Sequence, residues 1–201
     1  MLRQFFSFRS ASALGMAALL SGCVSFGEEP PPSLLNLTAD LQAPTGETRS
    51  VSAAQTLIVA EPEVPAEIDV LRLPVRVNDT SIAYLQDAVW VEKPARLFRR
   101  LLAETIRTRT GRTVLDGDTI GVAAGSRLSG TLREFGYNAA QSAVVLRYDA
   151  VMRTGDDTVI TRRFSQSVDG VPAEANAVGF AMNSAANDLA KEVTAWVETN
   201  S

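Results

Sequence analysis

Ala143-Val144-Val145-Leu146-Arg147-Tyr148-Asp149-Ala150-Val151-Met152 is the stretch on which the fold turns. Val144, Leu146, Tyr148, Ala150 and Met152 fall on one side of a period-two repeat, the pattern of a strand that buries one face. Gly155-Asp156-Asp157 follows as a hairpin turn, and Thr158 to Val168 reads as the returning partner. Upstream, Ser126 to Tyr137 changes phase: Leu128 and Leu132 share one face, Phe135 and Tyr137 the other. A bulge near Arg133 or Glu134 accounts for the switch. The three strands make an antiparallel meander.

Helices flank this meander. One is predicted from about Pro94, a residue favoured at the first helical position, to about Arg109, with Gly111 as the stop. Leu97, Phe98, Leu101, Leu102 and Ile106 supply its apolar side. The other runs from about Pro172 to Glu198, with Val178, Met182, Ala185, Leu189, Val193 and Trp196 at helical spacing. Earlier in the chain, Thr56 to Ala60 is a short β-branched run of the buried-strand type, and Pro62 and Pro65 close it off. Arg72 to Val77 and Ser81 to Leu85 read as strands around an Asn78-Asp79 turn. Weak alternation over Ser33 to Thr38 suggests a first strand, and Gln42 to Ser52 is a loop. This order predicts one α+β domain over residues 34–199: a mostly antiparallel sheet with two amphipathic helices packed on one face.

Composition excludes much chemistry. Hydrophobic residues make up 46% and charged residues 21%, the balance of a folded domain. There is no histidine, which removes Ser-His-Asp and Cys-His catalysis and histidine metal sites. One cysteine allows neither an intrachain disulfide nor a cysteine cluster for a metal. The net charge is -4, and loss of Arg3 and Arg9 with a leader makes the mature chain more acidic. Phosphate neutralisation needs clustered basic residues, so nucleic acid is not an expected partner.

The first 22 residues read as a signal peptide. Arg3 and Arg9 form the positive region, Ala11 to Leu20 the apolar one, and Leu20-Ser21-Gly22-Cys23 matches the lipobox of bacterial lipoprotein precursors. Cleavage is expected between Gly22 and Cys23, with acyl chains on Cys23. Each buried CH₂ contributes roughly 0.8 kcal/mol, so two or more chains hold a protein stably on a bilayer. The apolar stretch is about half the length of a membrane span, which needs about 20 residues. Residues 23–33, with Pro30-Pro31-Pro32, form an extended tether. Val24 follows the cysteine where aspartate commonly signals inner-membrane retention. The expected location is therefore the periplasmic side, on the inner leaflet of the outer membrane.

Candidate sites are few. Asp116-Gly117-Asp118 begins like a calcium loop, but Ile120 and Arg127 stand where ligands are needed, leaving a tight turn. Gly121-Val122-Ala123-Ala124-Gly125-Ser126 lacks the lysine and spacing of a phosphate loop. Arg96, Arg99, Arg100 and Arg107 lie away from the apolar stripe of the first helix. They read as a solvated face, with an Arg100–Glu104 pair, or as a docking surface for a protein partner or lipid headgroups. Trp90 and Trp196 read as core residues. No carboxylate pair stands out as an acid–base couple, so neither a metal, a cofactor nor catalysis is expected.

The segment Pro65-Ala66-Glu67-Ile68-Asp69-Val70-Leu71-Arg72-Leu73-Pro74-Val75-Arg76-Val77 carries a family resemblance. It continues through Ile82-Ala83-Tyr84-Leu85-Gln86-Asp87-Ala88-Val89-Trp90 and Pro94-Ala95-Arg96-Leu97-Phe98. With the lipobox, tether, meander and final helix, it resembles the ABC-type transport auxiliary lipoprotein family over about residues 33–199. Pro74 departs from the family pattern, and a shortened or edge strand is expected there. The resemblance implies a non-catalytic subunit of a system with an ATPase, a permease and an MCE-domain periplasmic protein, moving phospholipids or other lipids between the two membranes. It leaves open whether the domain forms a homo-oligomer. A lipoprotein that binds an outer-membrane barrel or a periplasmic cell-wall enzyme is the alternative reading.

Overall fold

Short β-branched runs and two amphipathic helices assemble into a seven-stranded sheet covered on one side. The computed structural model describes residues 33–46, 50–116 and 125–200, all within a unit that begins at Pro31. Its elements are β1 (Thr56–Val59), β2 (Arg72–Asn78), β3 (Ser81–Val89), α1 (Pro94–Thr110), β4 (Thr113–Asp116), β5 (Ser126–Asn138), β6 (Ala143–Arg153), β7 (Val159–Val168) and α2 (Ala175–Asn200).

The long strand β5 organises the sheet. Antiparallel β6 lies along one of its edges, with β7 beyond. Along the other edge β1 pairs with its beginning and β2 with its end, both parallel. β4 continues outward from β1 and β3 from β2. Antiparallel ladders carry most of the pairs, and three short parallel ladders make the sheet mixed.

Two bulges set which side chains meet the core. In β5, Leu132 pairs with Tyr148 and Glu134 with Arg147, so Arg133 is the extra residue. The insertion restores phase, and Leu128, Leu132, Phe135 and Tyr137 are all buried on one side. In β3 the irregularity is larger. Arg72 pairs with Val89 and Pro74 with Tyr84, leaving residues 85–88 of β3 opposite Leu73 alone. Asp87 takes a positive φ of 57° there, and Ala88 and Trp90 turn into the core. This is why β3 extends beyond the predicted Leu85. Pro74 sits at the same break, and β2 stays seven residues long between β3 and β5. The proline is accommodated by an irregular register, and the strand is neither shortened nor at an edge.

α1 begins with Pro94 and ends at Gly111, whose φ of 64° makes the left-handed cap and whose N–H bonds the Arg107 carbonyl at 3.1 Å. Its predicted stripe is buried. α2 starts three residues later than predicted, at Ala175, and its buried side is wider: Ala181, Ala186, Ala190 and Val197 join the expected residues. Such width follows from its position, since it packs on β6, β7 and α1 together. Phe98 meets Tyr148 edge-on at 5.3 Å, Phe164 meets Trp196 at 5.6 Å, and Trp90 lies 5.5 Å from Phe135. Both tryptophans are core residues.

Residues 33–38 do not form the predicted strand. They begin a strap over the helices, joined to the sheet among the described residues by the bridge of Leu35 to Trp90. Side chains hold the strap instead. The Thr38 N–H donates to Asn183 Oδ1 at 2.8 Å and the Asp40 N–H to Asn187 Oδ1 at 2.9 Å, while Asn187 Nδ2 returns a bond to the Thr38 carbonyl. Farther along, the Ala43 N–H donates to Glu104 and Lys191 pairs with Asp40 at 2.8 Å. Asn187 is only 2% exposed, so it is a buried polar group satisfied by the strap. β4, which the sequence reading missed, pairs parallel with β1. The candidate loops at 117–124, the lipobox, Cys23 and most of the tether lie outside the described residues.

Candidate docking surfaces

The four arginines of α1 do not form a single free face. Arg96 reaches Glu61 at 3.4 Å and Glu92 at 3.5 Å, and Arg100 pairs with Glu92 at 2.6 Å. The expected Arg100–Glu104 pair gives way because Glu104 holds Arg107 and the strap's Ala43 N–H. Arg107 also donates to the Val114 carbonyl at 3.0 Å, tying the helix end to β4. Arg99 is half-buried. These side chains spend much of their hydrogen-bonding capacity within the domain.

A second set of arginines emerges from strand geometry. Both helices cover one face of the sheet, and among the described residues no element covers the other. Period-two alternation places Arg127, Arg147, Arg153 and Arg163 on that bare face, and the β5 bulge adds Arg133. β2 contributes Arg76 and, at its start, Arg72, whose guanidinium lies 4.2 Å from the Tyr84 ring centroid. Among them stand two carboxylates, and each is shared. Asp149 accepts from Arg133 Nε at 3.0 Å and from Arg163 Nε and an Nη at 2.5 and 2.8 Å. Glu134 lies 3.5 Å from Arg76 and 3.3 Å from Arg147. Each trio keeps one uncompensated positive charge. Hydrogen bonding and attraction from Arg163, reinforced by Arg133, lower the Asp149 carboxyl to about 2 and raise Arg163. An acidic protein thus presents a basic sheet face. Guanidinium forks suit carboxylate or phosphate, and partly satisfied ones retain donors for a further anion. The alternation of Arg147 and Asp149 with buried neighbours was a usable sequence signal for this face.

Two surface grooves of about 240 Å³ each lie elsewhere, one between the strap and the start of α2, the other beside Pro44 and Thr113. Both are smaller than the roughly 300–1,000 Å³ typical of a small-molecule site. Along the first groove Phe180 is 80% exposed and Leu34 51%. Among the described residues no helix is long and apolar enough to cross a membrane.

Comparison with known proteins fits this architecture. Residues 38–194 match the family model described as ABC-type transport auxiliary lipoprotein component. No curated protein matches the chain. Among solved structures, a protein from Xanthomonas campestris superposes with a TM-score of 0.68 at 17% identity, covering 82% of this chain and 94% of that one. An uncharacterized protein gives 0.65 at 12% identity, covering 82% and 97%. Both similarities concern the fold alone. The PelC dodecamer of Paraburkholderia phytofirmans, at 10% identity with 72% and 92% coverage, has a TM-score of 0.39, too low to bear on assembly here.

Proposed function

The chain belongs to the family of ABC-type transport auxiliary lipoprotein components, and on that premise we propose that it is the non-catalytic lipoprotein subunit of an ABC/MCE-type system moving phospholipids or other lipids between the inner and outer membranes. The family match over most of the mature chain is the observation that carries this reading. The basic sheet face supplies the chemistry of docking. Its partner in this reading is an acidic surface on the MCE-domain periplasmic protein, and opposed charge would speed and orient their encounter. The absence of histidine supports a binding role, as does the engagement of Asp149 and Glu134 with arginines. The lipobox ending at Cys23, with Val24 after it, supports a periplasmic domain on the inner leaflet of the outer membrane.

The test is affinity capture of the tagged lipoprotein from detergent-solubilised membranes. The expected co-purifying proteins are an MCE-domain protein, a permease and an ATPase. Recovery of none of them, or of a barrel or cell-wall enzyme in their place, would overturn the transport reading.

A further inference from the structure

Phe180 is the most exposed large apolar side chain among the described residues, at 80%. It lies in the early part of α2 beside the strap, across a groove from Leu34, itself half exposed. The strap approaches closely here because residue 179 is glycine: a Cβ at that position would meet a Leu35 methyl at 2.7 Å. Asn36, Asn176 and Asn183 line the groove beside the apolar pair, and among the described residues no charged side chain does. A neutral rim around a protruding aromatic ring is unlike the charged exterior expected of a freely solvated helix.

The position of this patch identifies its occupant. Leu34 directly follows the tether, and eleven residues, 23–33, separate it from the end of the signal peptide. At no more than about 3.3–3.6 Å per residue, the segment from Cys23 spans at most roughly 40 Å, so an anchor there keeps the patch within that distance of the bilayer. The chemistry matches the headgroup boundary, where interfacial elements bury Phe and Leu side chains. We infer that Phe180 and Leu34 form a second membrane contact, resting in the interfacial layer of the bilayer that holds the acyl chains. One end of α2 and the start of the strap then face lipid. The inference rests on Cys23 as the acylated residue and is independent of what the system transports.

Site-specific labelling tests it. Once Cys23 is thioether-linked, a cysteine introduced by Phe180→Cys is the only free thiol in the mature chain. The same holds for Leu34→Cys and, as a control on the bare sheet face, Ser165→Cys. Each lipidated protein is labelled with an environment-sensitive fluorophore and placed in phosphatidylethanolamine–phosphatidylglycerol vesicles containing headgroup-quencher lipid. Labels at 180 and 34 are expected to be quenched about twofold, consistent with insertion of roughly 5–10 Å, and the label at 165 to be unchanged. Equal behaviour of 180 and 165 in protein that floats with the vesicles would overturn the contact alone. So would protection of 180 from an aqueous quencher without lipid quenching, which identifies a protein partner. Failure of the wild-type chain to float would sink the anchor and this contact together.

Discussion

The two faces of the sheet carry different kinds of interaction. On the covered face, Leu132, Phe135, Leu146 and Tyr148 are essentially fully buried beneath α1 and α2. Apolar burial at about 25 cal/mol per Å² makes this side the source of stability. On the bare face the same strands present arginines and shared carboxylates at the surface, where ion pairs are worth about 0–1 kcal/mol. That face has little weight in folding, and in the proposed function its part is recognition. Alternating residues of one strand therefore serve separate purposes, and substitutions should separate them.

The largest expected effect is on the covered side. Phe98→Ala removes the buried ring of α1 that meets Tyr148 edge-on and is expected to destabilise the domain by about 3–5 kcal/mol in urea unfolding. Val151→Ala on the bare face should fall well below that; equal costs would break the distinction. Next comes the strap. Asn187→Ala leaves the Asp40 N–H and the Thr38 carbonyl without their side-chain partner, at an expected cost of about 1–3 kcal/mol. Hydrogen exchange at Asp40 should accelerate in this variant while the β5–β6 ladder stays protected.

The smallest effect belongs to the bare face. The Asp149 carboxyl is lowered to about 2 in the folded protein by Arg163 and Arg133. A depressed pKa contributes stability that is complete above the unfolded value, near 3.9, and is lost as pH falls through the folded one. Asp149→Asn should thus cost less than about 1 kcal/mol at neutral pH, because its arginines are exposed. Unfolding midpoints of mutant and wild type should converge between about pH 4 and 2. A constant gap across that range would remove the ion pair from the account.

Local chemistry made much of the fold legible. Pro94 and Gly111 frame α1, and the phase change around Arg133 reveals a bulge, because caps and alternation are properties of adjacent residues. The strap was not legible as a strap. Its bonds come from Asn183 and Asn187, about 145 residues away, and weak alternation near Leu35 resembles a strand in their absence. β4 escaped because, unlike the equally short β1, it has no continuous apolar run, and its partner β1 is distant in sequence. The arginines of α1 were visible as a helical set, but Glu61 comes from another segment and Glu92 stands just ahead of the helix, outside the window read for its pairs, so their engagement was not. The sheet arginines were visible one by one. That no described layer covers them follows only from both helices packing on the same side.

Charge reversal on the two arginine sets tests the docking claim most directly. Arg133→Glu with Arg147→Glu alters the bare face, and Arg96→Glu with Arg100→Glu alters the helix. Co-purification of the proposed MCE-domain partner from membranes is measured for both alongside wild type, with unfolding curves showing that each variant is folded. The account predicts that the sheet variant loses the partner and the helix variant retains it. Retention by the sheet variant, or equal loss by both, would contradict it.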